Sequence, residues 1–387
     1  MELSGELAGR SGLSWQRWAA LDRVQVSGAR APTYYERVSS QQRDDSAGST
    51  SPDALRARLR DMITAFRVSD LVATAAEFRL ADHLVDGPKS SAELAHLCGA
   101  HAETLHRVLR ALARIELLHQ EPDGRFALAP LGEALRSDVP DSLYRMARLW
   151  GTDLFKLTWM RLPHSVRTGQ SAQEHLFGLR QFDYLATEPE VAAIFNDGML
   201  AGTLTVAAAV IDAYDCASFK TIVDVGGGSG ALAATVLRAN PSMHGTVFDL
   251  PFCREGAVQY LAAAGVSDRC QFVAGDFFRS VPSGADAYFL KFILHDWEDD
   301  KCAQILRACR AAVSPGSRLL LVESVLPPDG GPLTDAVFGD VTMIVHTGGR
   351  ERTRAEYASL LDRAGFRMTQ IVPTRVAQSV IEAVPAC

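Results

Sequence analysis

The 387-residue sequence has few cysteines and no excess of basic residues. None of its seven cysteines forms a Cys-x-x-Cys pair with a matching second pair, so we expect neither a zinc site nor a disulfide framework. Lys and Arg number 39 against 46 Asp and Glu, which gives a net charge of −7. An acidic chain is a poor partner for nucleic acid held by its phosphates. We therefore expect a reduced, cytoplasmic protein with no bound metal and no nucleic-acid partner.

The sequence also lacks an uninterrupted apolar run long enough to cross a bilayer, and its start lacks a charged region followed by an apolar one. Neither a membrane partner nor secretion is expected from these absences. Apolar residues make up 47% of the chain, which is ordinary for a globular protein, and the length suggests two domains.

Composition divides the chain into four segments. Residues 1–53 include a long polar stretch of small residues and are expected to be a disordered extension. Residues 54–145 carry apolar positions at helical spacing, followed by a hairpin with Pro122-Asp-Gly124 at its turn. Residues 146–215 are helical and rich in aromatic residues and methionine, as expected of a linker that contributes to a substrate pocket. Residues 216–387 alternate between strands and helices.

The pattern of helices and hairpin within 54–145 is typical of a winged helix. Winged helices often bind DNA, so a DNA-binding regulator is one hypothesis for this chain. However, the second amphipathic helix carries only Arg107, Arg110 and Arg114 against an acidic background. We favour a winged helix that serves dimer contact.

The C-terminal segment predicts a doubly wound, Rossmann-like α/β fold. Strands are expected at 221–225, 245–249, 270–274, 286–291, 318–323, 367–372 and 376–383. Helices between the first six imply a mostly parallel sheet. Only Pro373-Thr374-Arg375 separates the last two strands, too few residues for a crossover, so the final strand is expected to run antiparallel.

A glycine-rich turn follows the first of these strands. Gly226-Gly-Gly-Ser-Gly-Ala231 satisfies the dinucleotide pattern G-x-G-x-x-A, so an NAD-dependent oxidoreductase is a second hypothesis. Acidic residues near three successive strand ends, Asp224, Asp249 and Asp276, argue for a cationic ligand without phosphates, because like charges repel. S-adenosylmethionine fits that description, with its sulfonium, ribose, adenine and amino acid groups.

Five motifs in order extend this interpretation. They are Asp224-Val-Gly-Gly-Gly-Ser-Gly230, Phe248-Asp-Leu-Pro251, Gly275-Asp-Phe277, Leu290-Lys-Phe-Ile-Leu-His-Asp-Trp297 and Gly348-Gly-Arg-Glu-Arg-Thr353. With them the chain resembles S-adenosylmethionine-dependent O-methyltransferases of the caffeic acid O-methyltransferase-like group, which includes bacterial enzymes that tailor polyketides and other aromatic products. The resemblance covers roughly residues 55 to 384 and implies a homodimer formed through the winged N-terminal part.

The resemblance implies cofactor contacts at five positions. They are Gly226, Asp249, Asp276, Phe277 and Lys291. A glycine lets the backbone approach the ligand, the first carboxylate can bind the ribose, and the second carboxylate with the phenylalanine can hold the adenine. For the lysine, a solvated residue at a strand end is an equal alternative.

His295 is the candidate general base for methyl transfer to a hydroxyl. It follows an apolar strand and precedes a helix, which places it at the carboxyl edge of the sheet, and histidine titrates near neutrality. The resemblance adds Glu323 and Glu351 as carboxylates that flank and orient the imidazole. A histidine that only packs at the helix start, and a Glu351 that only serves a helix N-terminus, are the alternatives.

The acceptor is expected to be a small aromatic molecule, phenolic or polyketide-like. Met199 and Met343 are candidate pocket walls, although both can be plain core, and Thr347 occupies the family's acceptor-pocket position. The function predicted is transfer of a methyl group from S-adenosylmethionine to a hydroxyl of this acceptor. An N- or C-methyltransferase on the same scaffold is the main alternative, since neither needs His295 with its two glutamates.

Overall fold

The computed structural model describes residues 51–139, 141–329 and 331–386. Nearly all of the expected extension 1–53 lies outside these residues. Its last residues begin a helix, where the Ser51 hydroxyl accepts a hydrogen bond from the Ala54 N–H and Pro52 occupies the first turn. The described residues form two compact units, one containing 51–157 with 185–201 and the other containing 158–184 with 202–386.

The smaller unit is mainly helical. Its elements are α1 (Pro52–Thr64), α2 (Phe66–Glu77), α3 (Leu80–His83), α4 (Ser91–Cys98), α5 (Ala102–Arg114), β1 (Leu118–Gln120), β2 (Phe126–Leu128) and α6 (Tyr144–Gly151). Helix α4 begins with a reciprocal capping box between Ser90 and Glu93 and ends at the left-handed Gly99. Strands β1 and β2 pair antiparallel, which confirms the expected hairpin. Leu94, Leu109 and other buried side chains form a core beneath these elements.

Helix α1 presents a row of large apolar side chains that the described residues do not bury. The row consists of Leu55, Leu59, Met62 and Ile63, followed by Phe66 at the start of α2, and each of these is more than half exposed. Exposed apolar patches of this kind mark interaction surfaces in soluble proteins.

The expected segment 146–215 is divided between the two units. It contains α7 (Asp153–Met160), α8 (Leu162–Thr168), α9 (Ala172–Phe177), α10 (Gln181–Thr187) and α11 (Pro189–Ala213). Residues 158–184 and the end of α11 belong to the larger unit, whereas 185–201 belong to the smaller one.

By length and composition alone, helix α11 can cross a membrane, with a mean hydropathy of 1.5 over its best window. Glu190, Asp197 and Asp212 interrupt its apolar residues, so the sequence shows no uninterrupted apolar run there. Val206, Ala207 and Val210 on its C-terminal half are buried in the core behind the sheet, together with Ile222 and Leu232. The core of a folded protein thus accounts for the apolar character of that half.

The larger unit is built on an eight-stranded sheet. Its strands are β3 (Thr221–Val225), β4 (His244–Asp249), β5 (Cys270–Ala274), β6 (Ala287–Lys291), β7 (Arg318–Leu326), β8 (Arg352–Thr353), β9 (Phe366–Pro373) and β10 (Gln378–Pro385). The order is β5-β4-β3-β6-β7-β10-β9, with β8 beside β7. Strands β3 to β7 pair in parallel, and β10 runs antiparallel to both β7 and β9, which confirms the expected final strand.

Helices cover this sheet, as the alternating pattern predicted. They are α12 (Ala231–Ala239), α13 (Arg254–Ala263), α14 (Asp299–Ala312), α15 (Ala336–His346) and α16 (Arg354–Arg363). The chain moves outward from β3 through β4 to β5 and then returns to β6 on the other side of β3. In open α/β sheets, ligands bind outside the carboxyl ends of the strands at such a switch point.

Candidate active site

The turn after β3 consists largely of glycines, so it places backbone without side chains at the carboxyl edge of the sheet. Gly226 has φ of +69°, in the left-handed region, and its N–H donates to the carbonyl of Phe248 at 2.8 Å. A Cβ at position 226 would overlap Cδ1 of Ile293 and lie 3.5 Å from Cε1 of Phe277. A larger residue at this position would therefore collide with Ile293 and would also strain the left-handed backbone.

Asp224 lies beneath this turn and supports it. Its side chain is buried, and Oδ2 accepts a hydrogen bond from the Ala233 N–H of α12 at 3.2 Å. A Cβ at Gly227 would meet this carboxyl group. Burial raises the pKa of Asp224 to about 6, against the opposing effect of Lys291. Asp224 thus supports the turn itself, and of the three acidic residues only Asp249 and Asp276 are left to face a cationic ligand at the edge of the sheet.

Asp249 and Asp276 remain at the edge of the sheet, held by backbone N–H groups. Asp249 accepts from Leu250 at 2.6 Å through Oδ1 and from Gly228 at 2.7 Å through Oδ2, and burial raises its pKa. Asp276 accepts from the Phe278 N–H at 2.9 Å. These backbone bonds fix the two carboxylates before any ligand binds.

Phe277 and Lys291 complete the expected cofactor set. The ring of Phe277 is half-buried and makes an edge contact with Phe278, with centroids 4.9 Å apart. Lys291 is also half-buried, and its Nζ lies 4.3 Å from the centroid of the Phe292 ring. Burial lowers its pKa, although Asp224, Glu323 and Asp296 oppose this. The side chain is therefore not freely solvated at the strand end.

His295 and two glutamates form a buried cluster at the same edge. Nδ1 of His295 lies 3.1 Å from Oε1 of Glu351 and 3.7 Å from Oε2 of Glu323, while Nε2 lies 3.7 Å from Oδ1 of Asp296. The imidazole stacks on Phe292 with centroids 5.2 Å apart and is 11% exposed. All three members of this cluster are site residues expected from the sequence, and the structure brings them together.

Each glutamate is itself positioned. Oε1 of Glu323 accepts the N–H groups of Ile293 at 3.0 Å and Leu294 at 2.8 Å, so this carboxylate also fixes the backbone that leads into His295. The Glu351 N–H donates to Asp340 of α15 at 2.9 Å. Oε2 of Glu323 and Oε2 of Glu351 have no hydrogen-bond partner among the described residues. The cluster therefore retains unused acceptor capacity next to the imidazole.

The electrostatics of the cluster favour a protonated histidine. Burial opposes the charged form, but the charges of Glu323 and Asp296 and the hydrogen bond that His295 donates to Glu351 outweigh it and raise the pKa of His295 to about 10. Burial raises the pKa of Glu323 to about 7, despite the attraction of His295. One ligand atom from each of His295, Glu323 and Glu351 lies within 4.8 Å of the others. A metal ion can use such spacing, but here a carboxylate already faces the imidazole nitrogen.

Arg352 is the residue of this site that the sequence analysis missed. It is fully buried and donates to the carbonyls of Leu294 at 2.9 Å and Trp297 at 2.8 Å, and to Oδ1 of Asp299 at 2.8 Å. It thereby ties the loop that carries His295 to the loop that carries Glu351. A planar five-donor guanidinium suits this task. Its only sequence signal is its place in the Gly348–Thr353 motif. That motif also contains Arg350, and the sequence does not tell which of the two arginines is buried.

Comparison with known proteins supports these observations. The family model of the O-methyltransferase domain matches residues 159–367, and that of the O-methyltransferase dimerisation domain matches residues 60–138. The chain belongs to the O-methyltransferase family. It is an S-adenosylmethionine-dependent enzyme, as its motifs predicted, and the α/β fold with an N-terminal dimerisation domain is confirmed.

Relatives of this O-methyltransferase act in natural-product biosynthesis. The chain is 41% identical over 330 residues to the phenazine O-methyltransferase PhzM of Lysobacter antibioticus, covering 84% of this chain and 95% of the relative. It is 34% identical to the 8-amino-8-demethylriboflavin N,N-dimethyltransferase of Streptomyces davaonensis, covering 82% and 91%. A solved structure of the O-methyltransferase NcsB1 from neocarzinostatin biosynthesis, in complex with S-adenosylmethionine and 2-hydroxy-5-methyl naphthoic acid, has a TM-score of 0.72 and 33% identity, with 82% and 96% coverage.

The residues expected to line the acceptor pocket of this O-methyltransferase lie in different elements. Met343 is half-buried on α15, and its carbonyl accepts the N–H groups of Thr347 at 3.0 Å and Gly348 at 2.9 Å. The Thr347 hydroxyl accepts from the Gly349 N–H at 3.1 Å, so it shapes the turn before Glu351. A Cβ at Gly349 would overlap the carbonyl oxygen of His295. Met199 lies on α11 in the smaller unit and is 40% exposed.

Proposed function

We propose that this O-methyltransferase methylates a hydroxyl of a small aromatic acceptor, with His295 as the general base. The observation that carries the proposal is the contact of 3.1 Å between Nδ1 of His295 and Glu351. A carboxylate on Nδ1 orients the ring and leaves Nε2 to exchange a proton with the acceptor, the arrangement of other histidine bases. The substrates named for the phenazine and naphthoic acid enzymes support an aromatic acceptor.

The cofactor residues expected from the sequence suit S-adenosylmethionine. We propose that the backbone at Gly226 and the carboxylate of Asp249 bind its ribose side, while Asp276 and Phe277 hold the adenine. The left-handed glycine turn at the carboxyl edge of the sheet and the pre-formed carboxylates support this assignment. When bound, S-adenosylmethionine supplies the methyl group. The half-buried Lys291 lies between the turn and the histidine cluster and limits the negative charge there.

The raised pKa of His295 suits a phenolic acceptor. An unperturbed phenol has a pKa of about 10, and an unperturbed histidine about 6.5, so proton transfer between them costs about 5 kcal/mol. With the pKa of His295 raised to about 10, the same transfer is nearly balanced. Below about pH 10, His295 is protonated in the ligand-free site. One proton must therefore leave the pair formed by His295 and the acceptor hydroxyl before the acceptor oxygen can attack the methyl group. Glu323 and Glu351 stabilise the imidazolium after the transfer.

N-methylation is the second candidate function. The relative named as a riboflavin N,N-dimethyltransferase shows that this family also includes enzymes that act on an amine. An uncharged aromatic amine carries its own lone pair and needs no base before the methyl group is transferred. The buried histidine cluster favours a hydroxyl.

A paired acceptor panel tests this assignment. We expect the enzyme, incubated with isotope-labelled S-adenosylmethionine, to methylate phenols, naphthols and hydroxylated polyketide-like aromatics but not the matched aryl amines. Product masses and the position of the label identify the methylated atom. Turnover of the amines alone would replace O- by N-methylation, and binding of NAD in a thermal-shift assay without binding of S-adenosylmethionine would contradict the cofactor.

The pH dependence of the reaction follows from the raised pKa of His295. We expect kcat/KM for the acceptor, at saturating S-adenosylmethionine, to rise by about tenfold per pH unit from pH 7 to 9, because one proton must be lost. Glu323→Gln keeps the oxygen that binds Ile293 and Leu294 but removes the charge that raises the histidine pKa. In this variant, the rise of kcat/KM with pH should therefore level off at a lower pH than in the wild type. Identical pH profiles of the two enzymes would show that the proton lost comes from the acceptor alone and not from His295.

We further propose that the enzyme works as a homodimer in the cytoplasm. The match to a dimerisation domain over residues 60–138 supports the dimer. The exposed apolar row on α1 is a surface of the kind that dimers bury.

A further inference from the structure

The side chain of Gln173 on α9 is fully buried, and both the oxygen and the nitrogen of its amide lack hydrogen bonds. Neither Oε1 nor Nε2 has a hydrogen-bond partner among the described residues. A buried amide without partners costs about 1–3 kcal/mol of folding free energy, and such groups are rare in folded proteins. A leucine at this position would avoid the cost, so the glutamine needs a reason beyond packing.

The surroundings of α9 connect Gln173 with the acceptor side of the active site. Ser171 caps α9 by accepting the Glu174 N–H at 3.1 Å, and its Cβ lies 3.8 Å from where a Cβ of Gly348 would be. The next residue, Gly349, packs directly on the backbone of His295. Helix α9 also packs against α15, which carries Met343.

The expected cofactor residues lie on other elements. Gly226, Asp249, Asp276 and Lys291 stand at the ends of β3 to β6, whereas the most extensive contacts of α9 are with α8 and α15. A ligand group that reaches Gln173 therefore belongs more naturally to the acceptor than to S-adenosylmethionine.

We propose that Gln173 is a specificity residue that binds a neutral polar substituent of the acceptor, one that both donates and accepts hydrogen bonds. A second hydroxyl or a carboxamide on the aromatic ring meets this requirement, because it satisfies Oε1 and Nε2 together. A carboxylate fits less well, since it can only accept and would be buried without a cation. This inference rests on the proposed methylation of an aromatic hydroxyl and adds the second group that the acceptor carries.

Gln173→Leu tests the proposal, because leucine fills a similar volume without polar atoms. The probes are naphthols that bear a second hydroxyl, a carboxamide or a carboxylate, each compared with unsubstituted naphthol. For the hydroxyl and carboxamide probes, we expect kcat/KM to fall by about 5- to 100-fold in the variant, mainly through KM. Naphthol itself and the KM for S-adenosylmethionine should change less than twofold. The ligand-free variant should melt at a higher temperature than the wild type, because the unsatisfied amide is gone.

Gln181→Leu is the matched control. Gln181 on α10 is also buried and has an unpartnered Oε1, so it reports the effect of removing a buried glutamine in this part of the chain. Its kinetics should match the wild type for every probe.

Five outcomes would overturn the inference. Equal losses for naphthol and its substituted forms would assign Gln173 a structural role, and a raised KM for S-adenosylmethionine would assign it to the cofactor. A loss confined to the carboxylate probe would contradict the neutral partner. If the wild type methylates none of the naphthols, the proposed function fails as well, whereas wild-type turnover with unchanged kinetics in Gln173→Leu overturns this inference alone.

Discussion

Replacing His295 by alanine should lower kcat by about 10²- to 10⁴-fold, the contribution of a positioned base. The dissociation constant for S-adenosylmethionine should change less than twofold, because the expected cofactor residues are held by their own backbone contacts at Gly228, Leu250 and Phe278. Stopped assays with labelled cofactor give kcat, and calorimetric titration gives the dissociation constant. The variant should regain part of its activity at high pH, where the acceptor ionises without help.

His244→Ala is a suitable control for this experiment. His244 is exposed at the start of β4, at the opposite edge of the same sheet, so its loss should leave both constants unchanged. Orientation alone can supply about 7–11 kcal/mol of barrier reduction in well-aligned reactions. Near-wild-type turnover of His295→Ala would therefore show that the enzyme works by positioning and that the imidazole only helps to hold the acceptor.

Replacing Arg352 by methionine should lower the free energy of unfolding by about 1–3 kcal/mol, the cost of leaving a buried acceptor without its donor. The guanidinium donates to two loop carbonyls and to Asp299. Methionine removes the Arg352 donor from both carbonyls, whereas Asp299 keeps its bond from Arg350. The His295 loop should lose its fixed position, so activity should fall together with stability. Urea denaturation monitored by tryptophan fluorescence measures the first effect.

Arg350→Met provides the matched control. Arg350 donates to the same Asp299 at 2.7 Å, but its side chain is 46% exposed. Exposed ion pairs contribute about 0–1 kcal/mol, so this variant should remain close to the wild type in stability. Equal losses in the two variants would show that Arg352 does not fix the loop.

The positions of the strands and the glycine turn could be predicted from the sequence because both are local. Strands β3, β5 and the final antiparallel pair follow from apolar runs and from the length of the connections between them. His295 and Glu323 could also be placed at one edge, since the carboxyl ends of neighbouring parallel strands meet there.

Burial and side-chain direction could not be predicted in the same way. Asp224 and Asp249 look alike in sequence, yet one lies under the glycine turn and the other stays at the edge, and the difference depends on α12. Arg350 and Arg352 stand two residues apart, but only the second is drawn into the core, by carbonyls that lie more than fifty positions earlier. Gln173 also has no local signal, because its helix packs against α15, which lies far away in the sequence. In each case a distant element decides the role.

The antiparallel strand β10 lies beside one of the two glutamates that contact His295. Ser379 of β10 pairs with Glu323, so the C-terminal strand closes the edge of β7 directly beside the carboxylate that braces the histidine loop. Without residues 378–385, Glu323 would sit on an open strand edge, accessible to water and to foreign strands. Removal of residues 378–385 should therefore abolish methyl transfer even if the glycine turn keeps its conformation.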